Sequence, residues 1–403
     1  MSFKHWYERD GSVTGWDDTR FEDFKKVSKG GGELFLKQRD IESQKINPSA
    51  VGVFLDWLEF RLNQFKLSLA FTFKVLKDGR RGTHERGVEV VGNFKVREDI
   101  NDVFPSNNLF KSGRNFTVKA RFGQGAYNHD ILNIARGFSV RLTSDDSEKD
   151  EHAFTANAGD GTIFWNQKSF WSIVKRTPLP TKTGINFDKR KPLFLISPQA
   201  WWGSIEANRS RVTSMAHLIY NTGTPFKFTG DDGISKYIKF QFFPSKENGA
   251  PENEGAFFPR KKEMIQPWQQ TGGYDDGNRP DPNYLSQEIK SRLQDETINY
   301  ELRAQLWDPS ENDPHEVLSV NTQWQTKWTT LGEITIDNVV SDDVGKTFSF
   351  PIGVRSKTKV IDLPDLDNGW NGASKYVSLL YARQEIYDIS IFVRKWRAKI
   401  TKS

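Results

Sequence analysis

The chain contains no cysteine. That single absence excludes a disulfide framework, thiolate zinc or iron–sulfur sites and a cysteine nucleophile. It also contains no run of the roughly 18 apolar residues that a membrane-spanning helix needs, and its mean hydropathy is −0.65. No membrane span is expected. The opening MSFKHWYERDGS lacks the apolar centre of a secretory signal, so the cytoplasm is the expected compartment. The Asn115-Phe-Thr and Asn208-Arg-Ser sequons then carry no glycan. Histidine is sparse, six in all, and no two stand at HExxH spacing, which argues against a histidine-zinc site. The glycine pairs at Gly123–Gly125 and Gly159–Gly161 lack the strand-GxGxxG-helix setting of a phosphate loop, and there is no GxSxG elbow. Lys and Arg number 57 against 52 Asp and Glu, but the basic residues are scattered. A nucleic-acid partner is therefore not expected.

Aromatic residues are abundant instead: 30 Phe, 13 Trp and 10 Tyr make up 13% of the chain. Such rings build a large β core or line a deep apolar pocket. Residues 1–50 are rich in Lys, Glu, Asp and Gly and read as an N-terminal arm, with one short helix near 20–27. Residues 51–403 read as the main domain. From Phe65 onward short β-type runs follow one another: LSLAFTFKVL, GVEVVGNFKV, NFTVKARF, RGFSVRLTS, HAFTANAG, PFKFTG, SKYIKFQFFP, NYELRAQLW, WTTLGEITID and KTFSFPIGV. Strands at this spacing predict an antiparallel sheet that closes into a barrel, with helices inserted, an α+β arrangement. A helix is expected over Asn283–Leu293 after RPDP, and a terminal one within 374–403, which holds neither Gly nor Pro. Ahead of both, 247–281 is rich in Pro, Gly, Glu and Asn and reads as a long functional or neighbour-wrapping loop.

The terminal helix carries the first chemical signal. Arg383 and Tyr387 are four residues apart and Arg394 follows seven later, so at about 100° per residue all three share a face. A tyrosine ionises near ~10, and a permanently charged neighbour favours the phenolate, a hard donor for Fe(III). Read alone, the same spacing also fits a solvated helix face.

A second set of residues lies upstream. GRRGTHERG surrounds His84, followed by RFGQG (121–125), ARGFSVRL (135–142) and NAGDGTIFWN (157–166). Together with RxxxY at 383–387 and an Arg seven further on, this ordered set resembles the catalase superfamily. The resemblance runs over 71–176, continues more weakly through SMAHLIYNTGTPFKF and YIKFQFF, and returns at 383–394. It implies a catalase-like eight-stranded β-barrel with surrounding helices and an N-terminal arm, carrying haem b (Fe(III) protoporphyrin IX). Tyr387 would be the proximal ligand to the metal, kept ionised by Arg383. His84 and Asn157 would be the distal catalytic pair. Arg81, Arg121 and Arg394 would meet the propionates, and Phe170 would pack beside the porphyrin.

Two departures from hydrogen-peroxide-dismuting catalases direct the functional reading. Thr83 stands where those catalases carry valine, and Tyr387 is followed by Asp388-Ile389-Ser390 rather than Pro-Asp-Thr. Thr-His is the pattern of the catalase-related allene oxide synthases and hydroperoxide lyases, which the stretch 279–307 also resembles. That likeness implies a fatty-acid hydroperoxide substrate, conversion to an allene oxide, catalytic roles for His84, Asn157 and Thr83, and a fused or associated lipoxygenase. Lys77 is a candidate partner for the substrate carboxylate. Phe170 points the other way: it is what catalases carry, whereas the best-known allene oxide synthase carries an aliphatic there. A hydroperoxide lyase forming short aldehydes, a residual catalase or peroxidase, and a haem-free β-barrel binding protein remain as alternatives. Homo-oligomer formation fits the family.

Overall fold

The computed structural model describes residues 50–78, 81, 84, 86–124, 130, 136–146, 150–159, 170, 212–249, 280–308, 324, 326–352, 359–364 and 379–400. The N-terminal arm, Thr83, the IFWN segment and 250–279 of the long loop lie outside them.

Ten strands form one antiparallel sheet. They are β1 (Arg86–Val96), β2 (Asn115–Gln124), β3 (Arg136–Ser144), β4 (Glu151–Ala158), β5 (Tyr220–Asn221), β6 (Phe226–Thr229), β7 (Ser235–Pro244), β8 (Ile298–Trp307), β9 (Trp328–Val339) and β10 (Ile361–Asp362). The order is β10-β6-β7-β5-β4-β3-β2-β1-β9-β8, and β7 also pairs with β8. That last pairing closes eight strands into a barrel and leaves β6 and β10 as an appendage on β7. Closure removes the open edges that a sheet of this size would otherwise expose.

Alternation puts aromatic rings inside. Phe122 stacks on Phe138 at 4.6 Å, Phe138 on Tyr300 at 5.2 Å, and Phe154 meets Phe240 edge-on at 4.7 Å. Each fully buried ring of this kind stabilises the fold by about 2–3 kcal/mol. His152 shares this interior with Phe154, Phe226 and Phe240. Neither of its ring nitrogens has a hydrogen-bond partner among the described residues, and burial pushes it down to about 3. The folded chain therefore holds it neutral, whereas the unfolded chain takes up a proton below pH ~6.5. Its contribution is complete above pH 6.5 and declines as the pH falls toward 3. By pH 4.5 the loss is about 2–3 kcal/mol, at 1.36 kcal/mol per pH unit. Urea titrations at pH 7 and 4.5 should show that loss, and a His152→Leu variant should take up about one proton fewer on unfolding across this window.

Three long helices accompany the barrel: α1 (Ala50–Asp78), α2 (Tyr284–Asp295) and α3 (Leu379–Ile400). Asp130 accepts the Leu285 N–H at 3.0 Å in the first turn of α2, and α1 packs on α3 through Gln64, which bonds the Ala382 carbonyl and Glu385.

Two expected strands are not strands. LSLAFTFKVL lies inside α1, and Lys346–Ile352 of KTFSFPIGV takes a turn and then runs unpaired. The first has Leu67, Phe71 and Val75 buried four residues apart, a helical stripe. The second contains Pro351, which cannot donate to a ladder.

Candidate functional site

Register across the barrel builds the floor of a cavity. Gly87 opposes Gly123, Gly123 opposes Gly137, and Gly137 opposes Asn157, so one cross-strand row is nearly bare of side chains. The row two residues along is polar: Glu89 opposes Arg121, Arg121 opposes Ser139, and Ser139 opposes Thr155. Side chains two apart share a face, so both rows point away from the aromatic interior and toward α3. Between this floor and the helices is a space of about 680 Å³, part of it open to solvent, lined by residues that include Phe71, Arg81, His84, Arg121, Asn157, Arg383, Tyr387 and Arg394.

Seven residues singled out in the sequence thus meet in one cavity although they are up to 313 positions apart (81 to 394). Phe170 is not part of the lining: it is buried, with its ring 6.1 Å from that of Phe71. Lys77 is exposed in the last turn of α1 and is not part of the lining.

His84 has φ 50°, in the left-handed region. A non-glycine residue held there costs of order 1–3 kcal/mol, and such strain gathers at functional sites. The bare row makes room for it. A Cβ on Gly137 would lie 3.0 Å from His84 Cδ2 and Nε2, and one on Gly123 would lie 3.1 Å from His84 Cβ. Burial, reinforced by Arg121, Arg383, Lys74 and Arg81, pushes His84 down to about 3. It is a neutral imidazole at physiological pH. We expect Gly137→Ala to displace the ring and lower turnover roughly 10²-fold, with global stability changed by less than about 2 kcal/mol; steady-state kinetics beside urea unfolding check this.

On α3, Arg383 is buried and its guanidinium donates to Thr155 Oγ1 at 2.8 Å. Its Cζ lies 5.8 Å from the centroid of the Tyr387 ring, one helical turn on. At the other end of the cavity Glu89 accepts from Arg121 Nε at 2.8 Å and from Arg81 at 3.2 Å. Arg81 also reaches the Phe348 carbonyl at 3.1 Å. Burial and the adjacent Arg121 and Arg394 push Arg81 down to about 9. Burial lowers Arg121 too, and burial with Arg121 beside it lowers Arg394. Arg81 and Arg121 thus share the Glu89 carboxylate with Arg394 nearby, and Arg394 Nε is buried with no hydrogen-bond partner among the described residues.

These features test the haem that the resemblance implies. A group with two carboxylates would balance cations at the arginine end, the glycine row seats His84 in the cavity, and Tyr387 in the same lining would offer an oxygen donor. Among the described residues there is no cluster of three His, Asp or Glu able to cage an ion. The residues fit the group. Sequence reasoning missed Glu89 and Thr155; the signal for both is strand register, which only the paired sheet reveals.

No family model matches the chain. The allene oxide synthase-lipoxygenase protein of Plexaura homomalla is 27% identical over 341 residues, 84% of this chain and 30% of that protein. A catalase-related peroxidase of Mycolicibacterium paratuberculosis is 24% identical over 64% of this chain and 74% of its own length. Among solved structures, a fungal catalase superposes with TM-score 0.55 at 14% identity over 78% of this chain and 59% of its own. Catalase A of Saccharomyces cerevisiae gives 0.58 at 15% identity over 78% and 61%. The chain has the catalase-like fold, a closed antiparallel eight-stranded barrel with helices. Its sequence relatives support a place in the catalase-like superfamily, and the chain spans less than a third of the Plexaura protein.

Proposed function

We propose that the chain is a haem enzyme that dehydrates polyunsaturated fatty-acid hydroperoxides to allene oxides. The observation that carries this reading is the pairing of a neutral His84 with Tyr387 and Arg383 in a single cavity whose other end is cationic. The name of the Plexaura relative supports the choice of reaction. Tyr387 would hold haem b through its phenol oxygen, Arg383 would keep a positive charge beside that oxygen, and Arg81, Arg121 and Arg394 would take the propionates. When bound, the ferric haem supplies the electron donation that cleaves the hydroperoxide O–O bond.

The protein's own part is proton handling and orientation. His84 takes the hydroperoxide proton and returns it to the departing oxygen. Its low basicity keeps the proton from resting there. Asn157, across the floor from Gly137, would hydrogen-bond the peroxide, and the resemblance to the allene oxide synthases gives Thr83, outside the described residues, the role of fixing the imidazole. The departing oxygen leaves as water with the hydroperoxide proton and one proton from carbon. The retained oxygen closes onto the adjacent alkene carbon as the epoxide. The balance needs no external reductant. A lipoxygenase, fused or separate, is the class of enzyme that supplies such hydroperoxides.

Phe170, buried beside Phe71, stands where the best-known allene oxide synthase carries an aliphatic. That departure supports a second reading, a hydroperoxide lyase that cleaves the same substrate to short aldehydes. Incubation of the haem-loaded protein with defined fatty-acid hydroperoxides decides between them. Ketols, the hydrolysis products of allene oxides, support the dehydratase; aldehydes support the lyase; oxygen release from hydrogen peroxide without either removes both.

A further inference from the structure

The inner faces of α1 and α3 wall the cavity, and their outer faces carry apolar side chains into solvent. On α1, Phe54, Leu58, Leu62, Phe65, Leu69 and Phe73 are all exposed, Phe65 by 67% and Phe73 by 61%. At the helical repeat they fall within an arc of about 100°. On α3, Phe392 is 69% exposed and Trp396, one turn on, 50%. Single exposed apolar residues are ordinary, but a contiguous stripe marks a docking surface. On α1 the exposed Lys66 flanks this stripe and no acidic residue occurs between Arg61 and Lys77; Lys74 lies on the cavity side, where its charge acts on His84. Lys395 and Lys399 are exposed beside the α3 pair.

We propose that this face of α1 and α3 lies on an anionic lipid bilayer, apolar rings among the acyl chains and lysines at the headgroups. The surplus of charge around the stripe, Lys66, Lys395 and Lys399 against the exposed Asp388, selects this occupant over a second copy of the chain, whose like-charged face would repel it. No helix among the described residues is long and apolar enough to cross a membrane, so the helices lie in the interface. The proposal deepens the functional reading and rests on it in one respect: fatty-acid hydroperoxides partition into bilayers, and the docked face is the reverse side of the cavity wall.

The test is flotation of the full-length, haem-loaded protein with phosphatidylcholine vesicles made with and without phosphatidylserine. We expect roughly tenfold stronger partitioning onto the phosphatidylserine vesicles, weakened by salt. We expect Phe65→Ser/Phe73→Ser and Phe392→Ser to reduce it about tenfold while keeping the Soret band and the turnover of detergent-dispersed hydroperoxide. Absence of flotation overturns the proposal, as does equal flotation on both vesicle types or no effect of the variants. A dimer on gel filtration with light scattering that the same variants split assigns the face to a second copy and also overturns it. Flotation needs no hydroperoxide, so its failure stays separate from failure of the proposed reaction, which detergent-dispersed turnover reads.

Discussion

Tyr387→Phe should leave the chain folded and nearly colourless, with hydroperoxide turnover lowered roughly 10³-fold or more, about 4 kcal/mol of transition-state stabilisation. The substitution removes one oxygen. A benzyl ring offers a metal no lone pair, and no other described residue on α3 that lines the cavity can provide an anionic donor: its neighbours are Arg383, Ile386, Ser390, Ile391 and Arg394. His84 belongs to the segment before β1, not to α3. The tyrosine is only partly buried and packs against the barrel core by its ring, so urea stability should change by less than about 1 kcal/mol. Haem retained through gel filtration, the Soret position and product formation are the measurements. Full haem content together with unchanged turnover would remove Tyr387 from its assigned role and the proposed chemistry with it.

Seven residues that line the cavity were legible in the sequence, and so was the barrel, but not the register that brings them together. Alternating runs gave most of the strands because one face of each meets the aromatic interior, a burial pattern with period two. The same rule failed at LSLAFTFKVL for a physical reason. Leu67, Phe71 and Val75 are buried while Phe65, Leu69 and Phe73 are exposed. Two helical stripes of spacing four, offset by two residues, print the alternation of a strand. Length was the overlooked signal: 53–78 contains neither Gly nor Pro, and a strand of that length is rare. At Lys346–Ile352, Phe348 and Phe350 are buried without pairing, and Phe350 helps to wall the cavity instead. The row of glycines and the pairing of Glu89 with Arg121 depend on which residues stand opposite across the barrel. A one-residue slip in register would scatter them, so no single strand announces them.

Glu89→Gln should have the largest effect on the empty protein, because it removes negative charge where three guanidiniums converge. The amide keeps the shape and can still accept from Arg121, so steric loss is small. What disappears is the counter-charge for Arg81 and Arg121, both buried or nearly so. Breaking a buried ion pair from one side costs about 3–5 kcal/mol, since the remaining cation stays desolvated. The haem-free variant should therefore unfold at lower urea by about that much. The bound protein should behave differently: two propionates would meet Arg81, Arg121 and Arg394 with less competition from a protein carboxylate. The stability gained on haem binding should accordingly be larger in Glu89→Gln than in the parent chain, by about 1–3 kcal/mol, the strength of one or two charge-assisted hydrogen bonds. Paired urea titrations of haem-free and haem-loaded protein measure both quantities. An equal haem increment in the two proteins would mean that the arginine end does not hold the propionates, whatever the loss in the empty chain.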